Sequence, residues 1–162
     1  PQIFGAWSNT VSCKGFDLSM MFTYKMKYEV RMPSVAGSYG SYKTFDQRWR
    51  KPGDEENTWV PKPLHGSFNY TFQNVVDGSD KQLEKGNMIR LKSVGLAYDF
   101  KRLVKTDVLS ALSLKFSVEN PWFWASNRDG LDVDRLYEST NSTVFYSGKQ
   151  PTYYTFTLNV KF

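Results

Sequence analysis

The sequence predicts an all-β chain: five long antiparallel strands of a transmembrane β-barrel, incomplete as this chain alone. Three observations predict it. Apolar and polar residues alternate strictly along several segments. The connections between those segments alternate between short and long. Aromatic residues make up 17% of the 162 residues, as 12 Phe, 10 Tyr and 5 Trp, and they gather near the segment ends.

The first segment, 3–13, is the weakest. Ile3, Trp7, Val11 and Cys13 share a phase, with Gly5 and Asn9 between them. Lys14-Gly15 then reads as a tight hairpin turn. Residues 16–30 place Phe16, Leu18, Met20, Phe22, Tyr24, Met26, Tyr28 and Val30 on one face. The other face carries Asp17, Ser19, Met21, Thr23, Lys25, Lys27 and Glu29. A long connection, 31–87, is rich in Gly, Pro, Ser, Asn and charge. The third strand spans 88–100. Ile89 and Leu91 begin one phase and Val94, Leu96, Tyr98 and Phe100 continue in the other, so a bulge is expected near Lys92-Ser93. A short connection, 101–110, has room for one helical turn. The fourth strand, 111–122, sets Leu112, Leu114, Phe116 and Val118 against Ser113, Lys115, Ser117 and Glu119. A second long connection covers 127–151. The last strand, 152–162, alternates Tyr154, Phe156, Leu158, Val160 and Phe162 with Tyr153, Thr155, Thr157, Asn159 and Lys161.

Strand length favours a membrane. A strand of eleven residues reaches about 36 Å, and a tilt of about 45° brings its height near 25 Å, the apolar band of an outer-membrane barrel. Soluble strands usually hold about five or six residues. Phe16, Phe100 and Phe162 fall at the short-turn ends, and Tyr28, Trp122, Trp124 and Tyr154 near the long-loop ends, as two interfacial girdles would. A soluble secreted β-sandwich, binding glycans through exposed aromatics, has the same alternation and stays open as the alternative. Five strands do not close a transmembrane barrel, which needs at least about eight, and open edges in lipid are prohibitive. The chain opens at Pro1 with no signal-like stretch. On the barrel reading it is expected to be part of a larger polypeptide.

Composition narrows the function. No run of about 18 apolar residues provides a transmembrane helix. A single cysteine, Cys13, excludes an internal disulfide framework, and a single histidine, His65, excludes paired-histidine metal motifs. The charge is +5, from 21 basic and 16 acidic residues. It is spread along the chain, and the densest clusters, 48–51 and 101–105, are short. A solvated basic surface is therefore expected, with no nucleic-acid partner.

Several ordered segments resemble one family. Trp7-Ser8-Asn9-Thr10-Val11-Ser12-Cys13-Lys14-Gly15-Phe16-Asp17-Leu18-Ser19 resembles a hairpin of SusC/RagA-type TonB-linked (TonB-dependent) outer-membrane transporters. Arg48-Trp49, then Lys51-Pro52-Gly53-Asp54 and Val60-Pro61, is similar to a loop of that family. So are the strand from Gly86 to Tyr98, the Asn120 and Gly130-Leu131-Asp132 positions, and the ending Thr155-Phe156-Thr157-Leu158-Asn159-Val160-Lys161-Phe162. Cys13 stands where an aromatic is usual, and Asp132-Val133-Asp134 replaces Asp-Pro-Glu. The resemblance covers essentially the whole of 1–162. It implies the last five strands of a 22-stranded barrel in the outer membrane of a Gram-negative, Bacteroidota-like bacterium. It implies import of oligosaccharides or peptides without catalysis or cofactor. The implied partners are the N-terminal plug and remaining strands, a SusD-like lipoprotein lid, outer-membrane lipid, and the TonB complex through the N-terminal part.

Individual residues carry narrower expectations. Tyr154, Phe156, Leu158, Val160 and the terminal Phe162 resemble the signal read by barrel-assembly machinery, an exposed edge ready to pair. Lys25, Lys27, Glu29, Arg90, Lys115, Glu119, Asn159 and Lys161 are expected to line the lumen. Trp49, Trp59, Tyr39 and Tyr42 lie in the first long loop and are candidates for contact with substrate or lid. Trp122 and Trp124 are candidates too, with an interfacial belt the favoured role. Asp129, Asp132 and Asp134 lack the spacing of a calcium loop. Asp54, Glu55 and Glu56 read as a solvated acidic patch, and His65 has no nucleophile motif beside it. The sequons at 69–71 and 141–143 matter only in a eukaryotic secretory protein.

Overall fold

A computed structural model describes residues 1–33, 46–62, 75, 78–104, 108–138 and 144–162. The chain forms two units. The first combines Pro1–Lys27, Asn87–Ser126 and Gln150–Phe162; the second combines Tyr28–Gly86 and Asn127–Lys149.

The elements in chain order are β1 (Ile3–Cys13), β2 (Phe16–Met26), β3 (Glu29–Arg31), β4 (Leu83–Lys85), β5 (Met88–Asp99), β6 (Ala111–Ala125), β7 (Leu136–Glu138), β8 (Val144–Tyr146) and β9 (Tyr153–Lys161). The first unit is one antiparallel sheet in the order β1-β2-β5-β6-β9. The second holds two small ladders, β3-β4 and β7-β8.

The alternation read along each strand becomes rows across the sheet. Val11, Leu18, Leu96, Phe116 and Phe156 stand opposite one another in register. Trp7, Phe22, Leu91 and Trp122 form a row nearer the long loops, and Gly5, Tyr24, Ile89 and Trp124 the next. Neighbouring rings pack along these rows, as Phe116 does on Phe156 at 4.7 Å and Phe16 on Tyr98 at 4.3 Å. Gly5 lies under the Tyr24 ring, whose hydroxyl oxygen would sit 2.7 Å from any Cβ placed there. A side chain at position 5 would displace that ring.

This face is exposed. Trp122 is 52% exposed and Phe156 72%, and every residue of β9 is exposed. Soluble monomers seldom expose a contiguous apolar patch beyond about 300–600 Å². Among the described residues there is no second large sheet to cover it. The sandwich alternative needs that second sheet, because its core forms between two greasy faces. An all-β, partial-barrel sheet is the fold.

The β1–β2 turn has Lys14 at φ 49° and Gly15 at φ 89°. Two successive left-handed residues match the twist of the flanking strands, as in a type I′ turn. The Gly15 carbonyl accepts the Asp99 N–H at 2.9 Å, which ties the turn to the end of β5. The short connection after β5 contains one 3-10 turn, Phe100–Arg102, with the Asp99 carboxylate accepting the Lys101 N–H at 2.9 Å.

The bulge near Lys92-Ser93 extends across three strands. Between the same two rows of the apolar face, β2 runs from Met20 to Phe22, β5 from Leu91 to Val94, and β6 from Val118 to Trp122. Each strand carries one residue more than the last, which bends the sheet locally. Asn120 takes the left-handed conformation at φ 51°. Its side-chain oxygen accepts Lys92 Nζ at 3.2 Å, and its carbonyl accepts the Thr152 hydroxyl at 3.0 Å. Pro121 has no N–H to donate, and a bulge is one of the few places in a sheet that tolerates this.

The segment 16–30 is not one strand. β2 ends at Met26, and β3 belongs to the other unit. Lys27 is left-handed at φ 56°, and its N–H is taken by the Asn87 side chain at 2.8 Å. That backbone turn breaks the ladder, so Lys27 and Glu29 leave the polar face of the sheet. Both long connections carry structure of their own, in β4, β7, β8 and short 3-10 turns.

Candidate functional site

The second unit holds the loop residues singled out in the sequence. Residues 46–62 fold back on themselves. Trp49 N–H donates to the Val60 carbonyl at 3.1 Å and its indole N–H to the Thr58 carbonyl, also at 3.1 Å. Asp54 organises the bend between them. One carboxylate oxygen accepts the backbone N–H groups of Arg50 at 2.9 Å and Lys51 at 3.0 Å. Gly53 sits at φ 95°, which a Cβ would disfavour, and its N–H meets the Glu55 carboxylate at 2.8 Å. Val60, whose carbonyl takes the Trp49 N–H, is buried at 2% exposure.

The two backbone N–H groups hold the Asp54 carboxyl below its ordinary pKa of 3.8. A lowered folded-state pKa stabilises the turn above the ordinary carboxyl value, and that contribution is lost as pH falls through the folded value. Asp54→Asn is therefore expected to remove the acid dependence of this turn and to loosen it at neutral pH. Protease cleavage within 46–62, followed from pH 7 down to about 2, checks this. An unchanged acid profile in the variant would refute it.

Two grooves flank the bend. One of about 590 Å³ is lined by Asp46, Arg48, Arg50, Asp54 and Trp59, among others. A smaller one, about 300 Å³, is lined by Trp49, Arg50, Lys51, Pro52, Glu55 and Lys62.

Trp59 is held from another segment. The Arg128 guanidinium lies 5.6 Å from its ring centroid and pairs with Glu84 at 3.3 Å. The Arg128 backbone N–H also donates to Glu84. One arginine thus links 46–62, β4 and the start of the second long loop. Asn127 shapes that loop. Buried at 6% exposure, it donates from Nδ2 to the Leu131 carbonyl at 2.8 Å and accepts the Leu131 N–H at 2.7 Å. Gly130, at φ 64°, makes the reversal possible. Asp132 is fully buried and accepts the Asp134 N–H at 3.2 Å. Burial pushes the Tyr28 hydroxyl pKa up, and the nearby Asp134 carboxylate adds to the shift. Among the described residues no three His, Cys, Asp or Glu side chains converge as metal ligands.

Trp122 and Trp124 stand elsewhere, in the first unit. They share the apolar face with Leu91 and Ile89. Phe123, between them, faces the polar side, where the guanidinium of nearly buried Arg90 lies 5.3 Å from its ring centroid. Tyr154, Phe156, Leu158 and Val160 lie on β9, with Phe162 just beyond it and 88% exposed. Tyr39, Tyr42, His65 and both sequons lie outside the described residues. Glu84, Asn127 and Arg128 were not singled out from the sequence. The only hint was the turn-forming run Asn127-Arg128-Asp129-Gly130.

The class these features define is a strongly amphipathic, barrel-type β-sheet whose long connections form a structured unit of their own. In fold the chain is similar to a chain of the RagAB peptide importer in its "open-open" state. The TM-score is 0.62 at 18% identity, covering 98% of this chain and 17% of that one. A second structure of the RagAB peptide transporter matches with a TM-score of 0.50 at 18% identity, over 76% of this chain and 14% of that one. The likeness shows the fold alone. This chain spans less than a fifth of the length of the chains it matches. No protein-family model and no curated protein matches the sequence.

Proposed function

We propose that the chain is the C-terminal barrel segment of a SusC/RagA-type, TonB-dependent transporter in a Gram-negative outer membrane. The observation that carries this reading is the exposed apolar face that runs in register across all five strands. In water such a face is a liability; against lipid it is required. The outer edges of β1 and β9 have no partner strand among the described residues. Both edges are long and unprotected, and further strands of a 22-stranded barrel would satisfy them.

The polar face, with Lys25, Lys115, Glu119, Asn159 and Lys161, lines the lumen against the plug, while Arg90 is buried against Phe123 within the chain. Trp122 and Trp124 belong to the belt at the long-loop interface, because they stand in the lipid-facing rows. Trp49, Trp59, Tyr39 and Tyr42 remain as candidates for contact with substrate or a SusD-like lid above the loops. The cargo is peptide or oligosaccharide, and the likeness to a peptide importer supports peptide. TonB would act through the N-terminal part of the longer polypeptide.

Fractionation of source cells tests this, using an antibody against 31–87. The expected result is a band several times heavier than 18.8 kDa in the outer membrane. A soluble band near that mass would sink the reading. In the same assay, deleting Phe162 from the native protein is expected to lower the outer-membrane band several-fold, as loss of an assembly signal read at the β9 edge. An undiminished band would remove that role from Phe162.

A further inference from the structure

The smaller groove at the 46–62 bend differs from its neighbour in charge. Its rim brings three cations, Arg50, Lys51 and Lys62, against one carboxylate, Glu55. Glu55 already accepts the Gly53 N–H at 2.8 Å, and Arg50 reaches Asp46 through an exposed pair at 3.8 Å and a long donation to its carbonyl at 3.4 Å. An exposed pair of that kind is weak. The larger groove sets Arg48 and Arg50 against Asp46 and Asp54, so its charges balance. A net positive rim selects anions, and a balanced one has no preference of sign.

The groove is also preorganised. Trp49 forms one wall, and its indole N–H is already committed to Thr58. What the ring offers a ligand is therefore its apolar surface. Pro52 in the lining fixes its own φ, and the two N–H bonds to Asp54 set the backbone that carries Arg50 and Lys51. The backbone of the groove therefore has little conformational freedom left to lose on binding. A volume of about 300 Å³ is at the lower end of small-ligand clefts. It suits a short stretch of side chains better than a large ligand.

We propose that this groove binds an acidic segment of a peptide, with an apolar side chain against Trp49 and carboxylates on Arg50, Lys51 and Lys62. The proposal rests on the reading of the protein as a peptide importer and names the kind of peptide it prefers. Exposed cations make the contact electrostatic and sensitive to salt.

The test uses the native polypeptide that carries this chain, purified from source cells. Fluorescence anisotropy compares a labelled Asp/Glu-rich peptide, its Asn/Gln twin and an oligogalacturonate. The acidic peptide is expected to bind roughly tenfold tighter than its amide twin, and the preference is expected to shrink as salt rises to about 0.5 M. Lys62→Glu should weaken acidic-peptide binding about fivefold or more, and Arg48→Gln in the other groove should not. Trp49→Phe, which keeps a ring, should preserve the charge preference. Equal binding of both peptides, no effect of Lys62→Glu, or tighter binding of the oligogalacturonate would each overturn the proposal. Fractionation reads the transporter assignment independently. A large outer-membrane band with no acidic preference sinks the groove alone, and a small soluble band sinks the transporter reading.

Discussion

On the proposed membrane reading, Val118→Arg is expected to destabilise the protein by about 2–4 kcal/mol, the cost of a cation on a lipid-facing surface near mid-membrane. Val118 lies near the middle of β6, opposite Val94 on one side and Tyr154 on the other. All three share the apolar face, so an arginine there has no charged neighbour in its row. It would have to snorkel along the strand or stay desolvated. Thr155→Arg places the same charge on the opposite face, and the expected change is only about 0.5 kcal/mol. Urea unfolding of the native protein refolded into lipid vesicles measures both. If the face met water instead, Val118→Arg would be close to neutral. Equal effects of the two substitutions would therefore contradict a lipid-facing surface.

Asn127→Ala is expected to cost about 2–3 kcal/mol in local stability of the second long loop. The side chain satisfies both the N–H and the carbonyl of Leu131, at 2.7 and 2.8 Å, from a buried position. Alanine leaves two backbone groups without those partners, and an unmet buried group costs more than a typical hydrogen bond contributes. The loss of two to three kcal/mol raises the open population roughly thirty-fold or more. Amide hydrogen exchange at 127–138 reads that opening directly. Asn127→Asp keeps the acceptor for Leu131 N–H and loses the donor, so it should fall between the parent and alanine. Unchanged exchange in Asn127→Ala would mean the loop is held mainly by Arg128, Glu84 and the Asp132 turn.

Strand positions and faces could be read from the sequence because period-two alternation is a local property. Leu112 through Val118 alternate whatever they pair with. The bulge was legible for the same reason, since one extra residue reverses the phase between Leu91 and Val94. Its extension into β6 was not. Leu112 to Val118 and Trp122 to Trp124 keep the same parity, and the insertion at Asn120-Pro121 shows only against β5. The run 16–30 misled because Tyr28 and Val30 continue the alternation by chance of phase. What ends β2 is a hydrogen bond from Lys27 to Asn87, a residue sixty positions away.

The loops divide in the same way. Trp49 and the Pro52-Gly53-Asp54 bend stand out as local turn chemistry, and the short-range contacts of Asp54 follow from it. The Trp59–Arg128–Glu84 link joins three distant segments, and no spacing rule connects them. The groove charge at Arg50, Lys51 and Lys62 likewise needed folding to bring position 62 beside the bend.

Local pattern thus suffices for strand class, apolar face and turn type, because neighbouring residues alone set them. Two results depended on the folded chain. The apolar face could have been half of a sandwich core, and only the folded chain shows it as part of a single large sheet with exposed apolar rows among the described residues. The loop unit and its grooves arise from contacts between residues far apart in sequence, whose geometry is set by packing and hydrogen bonding in three dimensions.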